Sequence, residues 1–543
     1  MPGATKRAIG RDGQAFQQAT YFECQFNRAP AGSHDGCMSE PRWLAKSAAP
    51  SDTRQAWNQP ADAAKAVCGP YVLASNNEKV VCDMESALDK FFHLKERGTT
   101  VRTELLAGLT TFITAAYILA VNPSVLSATG MPQDALFTAT VLISTIGTLM
   151  MAFLTNYPFI LAPGMGINAY FAYTVCLGMG YSWQTALTAI FVEGIIFVIL
   201  SLSNVREAIF NAIPMNLKYA ITAGVGLFIT IIGLKNSGLV ISNEATLVSM
   251  FSFHGSIEAG TFSTSGISAL LALIGIIITA ILVCNNVRGN ILLGILITWG
   301  IGIICQLTGV YVPNPDAGFA SLLPDFSRGL SVPSVAPIAF KLDFSNFFSV
   351  GFASVVFAFL FTNLFDTIGT LIGSASKADL LDENGKLPNV KGALLAESLA
   401  TTFAGLIGTS STATAVECTA GIAQGGRTGL TGITTAILFL LSLFLSPIFL
   451  AIPSFATAPA LVIVGFMMFG AVTQIDWGTA TEAVPAFVAI VAMPFMYSIA
   501  EGISLGIISY VAINACSGAE NRKKISGVMW VLFVLFCTKY FFI

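Results

Sequence analysis

Between residues 104 and 517 the sequence is a series of apolar segments, most of them long enough to cross a lipid bilayer, separated by short polar stretches. A transmembrane helix needs about 20 predominantly apolar residues. Hydrophobic residues make up 54% of the chain and charged residues 10%, whereas soluble proteins carry about 25% charged residues. The pattern therefore predicts an all-α polytopic membrane protein embedded in the lipid bilayer.

The apolar segments number about fourteen, seven in each half of the chain. We predict them at residues 104–126, 134–155, 164–180, 183–203, 216–236, 266–284 and 289–309, and at 347–375, 391–408, 413–425, 428–452, 456–474, 482–498 and 500–517. An odd number of segments per half turns the second half over relative to the first, which is an inverted repeat.

The distribution of basic residues predicts the orientation. With a cytoplasmic N-terminus, the inner loops hold ten basic residues: Arg206, Lys218, Arg288, Lys377, Lys386, Lys391, Arg427, Arg522, Lys523 and Lys524. The outer loops then hold only Lys235, Arg328 and Lys341. Cytoplasmic loops carry an excess of Lys and Arg. We therefore expect a multi-pass protein of the plasma or inner membrane with its N-terminus in the cytoplasm.

The chain divides into five regions. We predict a disordered N-terminal extension (1–83), a first membrane repeat (84–309), an extracellular loop (310–346), a second membrane repeat (347–517) and a C-terminal apolar segment (518–543). The extension is polar and lacks a helical or strand period. Met84 is a plausible natural start, so the extension is either an untranslated upstream segment or a regulatory tail. The sequence leaves open whether 525–543 crosses the membrane or lies along it.

Two stretches are too polar and too rich in glycine for a continuous helix. They are Asn156–Tyr173 (NYPFILAPGMGINAYFAY) and Gly408–Gly426 (GTSSTATAVECTAGIAQGG), at corresponding places in the two halves. Paired interrupted helices are the best sequence pointer to a transporter's binding site. We predict that the third and tenth segments each consist of an extended piece followed by a short helix. Re-entrant channel loops and simple glycine kinks are the alternatives.

Apart from acids at the first position of a span, five acidic residues lie within the apolar segments: Glu193, Asp366, Glu397, Glu417 and Glu501. A charge at the bilayer centre costs at least about 2.5–3.5 kcal/mol, so such residues usually mark a pathway or relay. Asp366 and Glu417 border polar, glycine-containing chain, which favours a role in function. For Glu193 and Glu397 we favour a neutral acid hydrogen-bonded between helices, and Glu501 is placed near the interface.

The predicted site combines these two acids with amides and small residues. Asn168 follows Gly166 at the start of the first short helix, where backbone N–H groups can donate to a ligand. Asn363 shares a helix face with Asp366, and Thr414 lies in the second interrupted stretch. The site has no cation to hold an anion. It therefore suits a neutral, planar, polar heterocycle better than a phosphate, a sulfate or a carboxylate.

Other classes of function lack the residues that they need. The ten cysteines form no CxxC pair, and His34, His93 and His254 lie outside the apolar segments. We therefore expect no metal site, no cofactor and no enzyme active site. Nucleic-acid binding is not expected either, because no basic stripe interleaved with aromatic residues occurs.

Four motifs carry a resemblance to a known family. They are LAPGMGINAYFAY, FTNLFDTIGTLIGSASKADLL, ALLAESLATTFAGLIGTSSTATAVECTAGIAQGGRTG and APALVIVGFMM. From Met84 to Ile543 the chain resembles the nucleobase–cation symporters, most closely the AzgA-like hypoxanthine/adenine/guanine permeases. The resemblance implies fourteen segments in two inverted repeats, a core domain that carries the substrate, and a gate domain that often forms a homodimer.

The resemblance also implies residue roles. Asn168, Asp366 and Glu417 match positions that the family uses for purine binding and coupling, and Asn363 stands where relatives often hold a second acid. We expect import of adenine, guanine and hypoxanthine by symport with protons, carried by Asp366 and Glu417, with sodium as the alternative ion. The rivals are a uracil or xanthine symporter and an anion exchanger of the same fold, and, from other classes, a channel or a membrane enzyme.

Overall fold

The computed structural model describes residues 88–203, 212–314, 318–327, 329, 331–382 and 387–542. Residues 1–83, predicted as a disordered extension, lie outside this part of the chain. The first half contains α1 (Val101–Ala115), α2 (Ile118–Ser127), α3 (Gln133–Thr155), β1 (Leu161–Pro163), α4 (Met165–Ala169, continued by π-helical turns over Tyr170–Gly178), α5 (Trp183–Leu202), α6 (Met215–Asn236), β2 (Val240–Asn243), β3 (Leu247–Met250), α7 (Phe253–Glu258), α8 (Ile267–Cys284, preceded by a π turn over Phe262–Gly266) and α9 (Asn290–Leu307).

The second half repeats much of this order. It contains α10 (Val350–Lys377), α11 (Val390–Ile407), β4 (Thr412–Thr414), α12 (Cys418–Ala423), α13 (Gly429–Leu441, followed by a 3-10 turn over Ser442–Leu445), α14 (Ser446–Leu450), α15 (Ser454–Phe469, followed by a 3-10 turn over Gly470–Gln474), α16 (Ala480–Phe495), α17 (Ile499–Cys516), α18 (Ala519–Lys523) and α19 (Gly527–Phe542).

Fourteen segments can be followed through the described residues. Ten helical stretches are long and apolar enough to cross a membrane. The remaining four are the two strand–helix elements β1–α4 and β4–α12, the long helix α10, whose apolar part covers Val350–Leu364, and the 16-residue helix α16. The predicted all-α fold of fourteen segments is confirmed, and most segment ends lie within a few residues of the expected positions.

The tenth segment differs in detail from its predicted span of 413–425. Its helix starts only at Cys418, because Thr412–Thr414 is a strand paired with Leu161–Pro163. The third segment has the same plan, with a strand followed by a helix from Met165. Both interrupted helices predicted from the sequence are therefore present, at corresponding places in the two halves.

The helices pack as two bundles. One bundle, here called the core, contains α1–α5 and α10–α13; the other, the gate, contains α6, α8, α9 and α15–α17. Small residues bring core helices together: a Cβ at Gly194 of α5 would lie 2.5 Å from the Thr402 backbone N of α11. In the gate, a Cβ at Gly226 of α6 would lie 2.5 Å from the Gly465 carbonyl oxygen of α15. Such close approach through small residues is typical of membrane helices.

Two further segments attach to these bundles. In α19, Phe536 contacts Phe357 of α10 at 5.4 Å between ring centroids, and Tyr540 donates a hydrogen bond to Glu501 of α17. The loop before α10 packs on the core, where the Phe340 backbone N–H donates to the Leu406 carbonyl at 2.7 Å. In the same loop, hydrogen bonds from Ser345 and from Thr185 hold the pKa of Asp343 below its ordinary value.

Candidate functional site

The site is built around the crossing of the two interrupted stretches. Strands β1 and β4 pair antiparallel, with Leu161 opposite Thr414 and Pro163 opposite Thr412. The pairing extends beyond the strands, because the Gly164 N–H donates to the Ser411 carbonyl at 3.2 Å. This pairing provides hydrogen-bond partners for backbone N–H and C=O groups that would have none in lipid. Because the strands are antiparallel, the chain passes through the crossing in opposite directions before α4 and α12 begin.

Glu417 immediately precedes α12 and is partly exposed. Its Oε1 accepts a hydrogen bond of 2.5 Å from the hydroxyl of Tyr117, which is 1% exposed. Tyr117 lies on the first transmembrane segment, between α1 and α2. A phenol that donates to a carboxylate fixes the orientation of the acid and leaves its other oxygen as an acceptor.

Asp366 lies near the other helix start. It is on α10, and a Cβ built on Gly164, the residue before α4, would lie 3.1 Å from its Oδ2. The missing side chain at Gly164 therefore leaves room for the carboxyl group beside the chain. An acid therefore lies near the start of each short helix: Glu417 directly before α12, and Asp366, from α10, beside the residue before α4. Helix dipoles stabilise negative charge at such a position.

Asn168 joins the two interrupted stretches. Its side chain is fully buried in α4, and its Oδ1 accepts a hydrogen bond from the hydroxyl of Ser410. Its Nδ2 has no hydrogen-bond partner in the part of the chain that the structure describes. A buried amide donor without a partner is costly, so the structure leaves one donor of Asn168 unsatisfied beside the crossing.

Asn363 lies behind the crossing and is fully buried. Its Nδ2 donates to Glu193 Oε1 at 2.9 Å and to Ser411 Oγ at 2.5 Å, and its Oδ1 accepts from Thr367 at 3.2 Å. Protein groups therefore engage both polar atoms of the amide. This position suits a residue that holds the β4 stretch against α5 and α10 better than one that contacts a ligand directly.

The two remaining predicted residues have different surroundings. The Thr414 backbone N–H donates to Glu397 Oε1 at 3.2 Å, and its buried hydroxyl has no partner among the residues described. A Cβ at Gly166 would lie 2.8 Å from a methyl group of Val225 on α6. Gly166 thus lies where the core touches the gate, and its missing side chain permits this contact.

No sequence pattern indicates a role for Tyr117, and Ser410 and Ser411 are not distinguished from the other small residues of the Gly408–Gly426 stretch. In the sequence Tyr117 looks like any aromatic residue of an apolar segment. The one unusual feature nearby is the polar pair Asn122-Pro123, which begins five residues later. Glu193 and Glu397 accept hydrogen bonds between packed helices, as expected for both. The predicted acids Asp366 and Glu417, and Asn168, do gather at the two helix starts.

The ionisable groups of the site are acids. Asp366 lies close enough to Glu397 and Glu417 to interact with them electrostatically. Across the described ranges, neither Asp366 nor Glu417 forms an ion pair with a Lys or Arg side chain. The same residues contain no cluster of His, Cys, Asp and Glu that could hold a metal ion. The arrangement can accept N–H groups and can exchange a proton.

Comparison with known proteins places the chain in a family. The Permease family matches residues 102–505. The guanine/hypoxanthine permease PbuO of Bacillus subtilis is 42% identical over 454 residues, which cover 83% of this chain and 99% of that protein. The adenine permease AdeQ of Escherichia coli is 39% identical over 470 residues, which cover 86% of this chain and 99% of that protein.

Solved structures share the fold at low sequence identity. The murine Slc26a9 anion transporter in its inward-facing state has a TM-score of 0.55 at 14% identity, covering 88% of this chain and 77% of that one. The transmembrane domain of the cyanobacterial bicarbonate transporter BicA has a TM-score of 0.53 at 17% identity. The match covers 74% of this chain and 97% of that one. The family match and the relatives confirm the resemblance drawn from the motifs: the chain is a membrane transporter, not an enzyme, and it belongs to the Permease family of nucleobase–cation symporters.

Proposed function

We propose that this protein imports purine bases (adenine, guanine and hypoxanthine) by symport with protons. The relatives support the substrate class, since they are a guanine/hypoxanthine permease and an adenine permease, and the match covers 99% of each of them. In this proposal Glu417 accepts N–H groups of the base, Asp366 carries the proton and Asn168 positions the ring.

The observation that carries the proposal is the pair of acids at the two helix starts, with no cation bonded to either in the chain as described. An anion would meet two carboxyl groups and be repelled. A neutral purine presents N–H donors to Glu417 and acceptor nitrogens to the unpartnered Asn168 Nδ2. This charge pattern argues against an anion exchanger, although the fold resembles that of anion transporters.

Among the described residues Asp366 forms no ion pair, which suits it to proton coupling. A carboxyl group of this kind can take up and release a proton without leaving a buried cation behind. It is also close to Glu417, so that a proton on Asp366 lowers the repulsion felt at the substrate acceptor. Sodium is the alternative ion, with the two acids as its ligands.

Transport requires the site to open to each side in turn. The site residues lie on the core, and Gly166 places α4 directly against Val225 of the gate. Rocking of the core against the gate would expose the crossing first to one side and then to the other. Following the loop charges, we place the N-terminus in the cytoplasm and residues 310–346 outside the cell. A homodimer formed through the gate stays a prediction.

The decisive experiment is uptake into proteoliposomes that contain the purified full chain. Labelled hypoxanthine should enter saturably, adenine and guanine should compete, and an inward proton gradient should drive accumulation. Uptake of labelled uracil or xanthine that hypoxanthine does not inhibit would favour the close rival. Sulfate or bicarbonate exchange without purine uptake would exclude the proposal, and accumulation that follows sodium but ignores the pH gradient would exclude proton coupling.

A further inference from the structure

Two residues near the end of the third segment join the core to the gate. Tyr173 and Thr174 lie on the π-helical turns that continue α4. The Thr174 hydroxyl donates a hydrogen bond to the Tyr497 carbonyl at 3.0 Å. The Tyr173 hydroxyl accepts one of 2.5 Å from Asn236 Nδ2. Because Asn236 ends α6 and Tyr497 lies between α16 and α17, this part of α4 is bonded to two separate elements of the gate.

The gate side of this contact is well fixed. The Tyr497 ring lies 5.6 Å from that of Phe228 on α6, and Lys235 Nζ lies 5.0 Å from the Tyr497 centroid, within the range of a cation–π interaction. Tyr497 has a φ of 52°, a left-handed conformation that is uncommon for residues other than glycine. Such a conformation persists where the surrounding structure determines it. The Tyr497 carbonyl is therefore held in place as the acceptor for Thr174.

The contact lies between the predicted binding residues and one face of the membrane. Asn168 is at the start of α4, and Thr174 follows roughly 9 Å further along, at a rise of about 1.5 Å per residue. The third segment continues past Thr174 to Gly178, and α6 ends at Asn236. Both ends are on the face that the loop charges place outside the cell. Tyr173 and Thr174 are themselves buried, so this end of the core lies tightly against the gate.

We propose that these two hydrogen bonds form an outer latch, defined as Tyr173 and Thr174 of the core with Asn236 and Tyr497 of the gate. The latch keeps the cleft between core and gate closed to the outside, and both of its hydrogen bonds must break before the binding site can open there. The inference rests on the rocking motion of the proposed function. It is independent of which base and which ion are transported.

The test measures access to the cleft from each side of the membrane. Val225→Cys puts a thiol on the gate surface that Gly166 covers, where a Cβ at Gly166 would lie 2.8 Å from the Val225 side chain. A membrane-impermeant maleimide added to intact cells should reach this thiol only when the core separates from the gate at the outer end. Mass spectrometry measures labelling at position 225 itself, so the native cysteines do not interfere. Inside-out vesicles report access from the cytoplasmic side.

Tyr173→Phe and Thr174→Val are each made in the Val225→Cys background, and each removes one hydrogen bond of the latch. The initial labelling rate from outside should rise about fivefold for each variant, the effect of one ordinary hydrogen bond on an equilibrium. The rate from the cytoplasmic side should not rise. Tyr497→Phe is the matched control. Its ring contacts that of Tyr173 at 6.4 Å, but its hydroxyl has no hydrogen-bond partner within the described ranges, so its rate should equal that of the background.

Equal, measurable labelling rates in the background and both latch variants would overturn the inference. A rise from both faces would also overturn it, because that result indicates general loosening of the contact between core and gate. A rise from the cytoplasmic face alone would mean that the contact closes the other end, and would reject an outer latch. Labelling from neither face in any of the proteins would instead reject the rocking motion itself, and the latch with it.

Discussion

Asp366 and Glu417 occupy comparable places but have different neighbours. Glu417 accepts a hydrogen bond of 2.5 Å from the Tyr117 hydroxyl. The carboxyl group of Asp366 instead lies beside the backbone at Gly164. An acid whose orientation is fixed is suited to accept a hydrogen bond from a substrate. An acid whose orientation is not fixed by such a hydrogen bond can alternate between its protonated and charged forms. The difference between the two residues therefore suggests a division between binding and coupling.

Two amide substitutions should separate these roles. Glu417→Gln keeps the size of the side chain but replaces an acceptor oxygen by an N–H₂ group that can face a substrate donor. We expect purine binding to weaken by roughly tenfold or more. Asp366→Asn cannot carry a proton, so it should bind purine measurably but fail to accumulate it against a gradient. Equilibrium binding and uphill uptake, both in proteoliposomes with and without a pH gradient, distinguish the two outcomes.

The control for both variants is downhill exchange of labelled for unlabelled hypoxanthine. Asp366→Asn should still exchange if it has lost only coupling. Wild-type binding and wild-type accumulation in both variants would show that these acids are not the site.

Glu104 is a buried acid with a structural role. In sequence it lies far from the predicted binding residues. Its carboxylate accepts from the backbone N–H groups of Arg427 (2.8 Å), Thr428 (3.3 Å) and Thr431 (3.1 Å), and from the Thr431 hydroxyl (2.5 Å). It therefore satisfies the free N–H groups at the start of α13, as a helix cap does. The local sequence does not indicate this role, because the partners of Glu104 are more than 300 residues away.

Glu104→Gln should destabilise the protein by roughly 2–4 kcal/mol, because it puts an N–H₂ group opposite buried N–H donors. Thermal unfolding in detergent measures the loss. Glu96→Gln is the control: its side chain is 78% exposed, and surface ion pairs contribute about 1 kcal/mol or less. Equal melting temperatures for the two variants would contradict the capping role.

At the scale of secondary-structure elements, the core depends on helices that approach closely at glycines. Gly194 of α5 lies against the Thr402 backbone, and Gly405 of α11 lies against Phe191, whose backbone N would be 2.7 Å from a Cβ there. The two helices thus pack backbone to backbone, which side chains larger than hydrogen would prevent. These helices also carry Glu193 and Glu397, so their spacing positions the buried hydrogen bonds behind the site.

Gly194→Ala should therefore lower the melting temperature, by a loss of about 1–3 kcal/mol for an overpacked contact. Gly300 of α9 is a matched control, since it also lies inside a long helix but has nothing within 4 Å of its Cβ position. Gly300→Ala should be neutral or slightly stabilising, because alanine favours helix by about 1 kcal/mol over glycine. Destabilisation of the same size in both variants would mean that helix propensity or lipid contact, not α5–α11 packing, decides the outcome.

At the scale of the whole molecule, transport by rocking requires the core to move relative to the gate. Ser124 of α2 and Thr457 of α15 face each other across this boundary, with 3.4 Å between their hydroxyl oxygens. A disulfide between cysteines at these two positions should stop uptake, and a reductant should restore it, because the bond would hold the two bundles together.

The matched control links two helices of the same bundle. Ser201 of α5 and Ser398 of α11 both lie in the core, with hydroxyl oxygens 3.1 Å apart. A disulfide there should leave uptake unchanged, since the core is expected to move as one body. The unmutated protein, which has its own cysteines, is treated with the same oxidant. Full uptake with Ser124 and Thr457 cross-linked would argue against rocking of core against gate.

The sequence by itself determined the class and the segment plan of this protein. Lipid offers no hydrogen-bond partners, so each crossing must be a self-satisfied helix of predictable length, and the apolar runs therefore predicted the fourteen segments closely. The same constraint made the two polar, glycine-rich stretches recognisable as interrupted helices. Carboxyl groups are rare at membrane depth, and for this reason Asp366 and Glu417 could be selected from the sequence alone.

Only the tertiary structure decided which side chains meet. Tyr117 and Glu417 are 300 residues apart, and nothing in the local sequence of either indicates the other. Asn363 was predicted to bind substrate together with Asp366. In the folded core its amide contacts Glu193 of α5, Thr367 of its own helix α10 and Ser411 of the stretch before β4. Periodicity and composition predict which segments cross the membrane. Contacts between segments depend on the rotation of every helix about its axis and on its depth in the membrane. Those are determined by packing over the whole molecule.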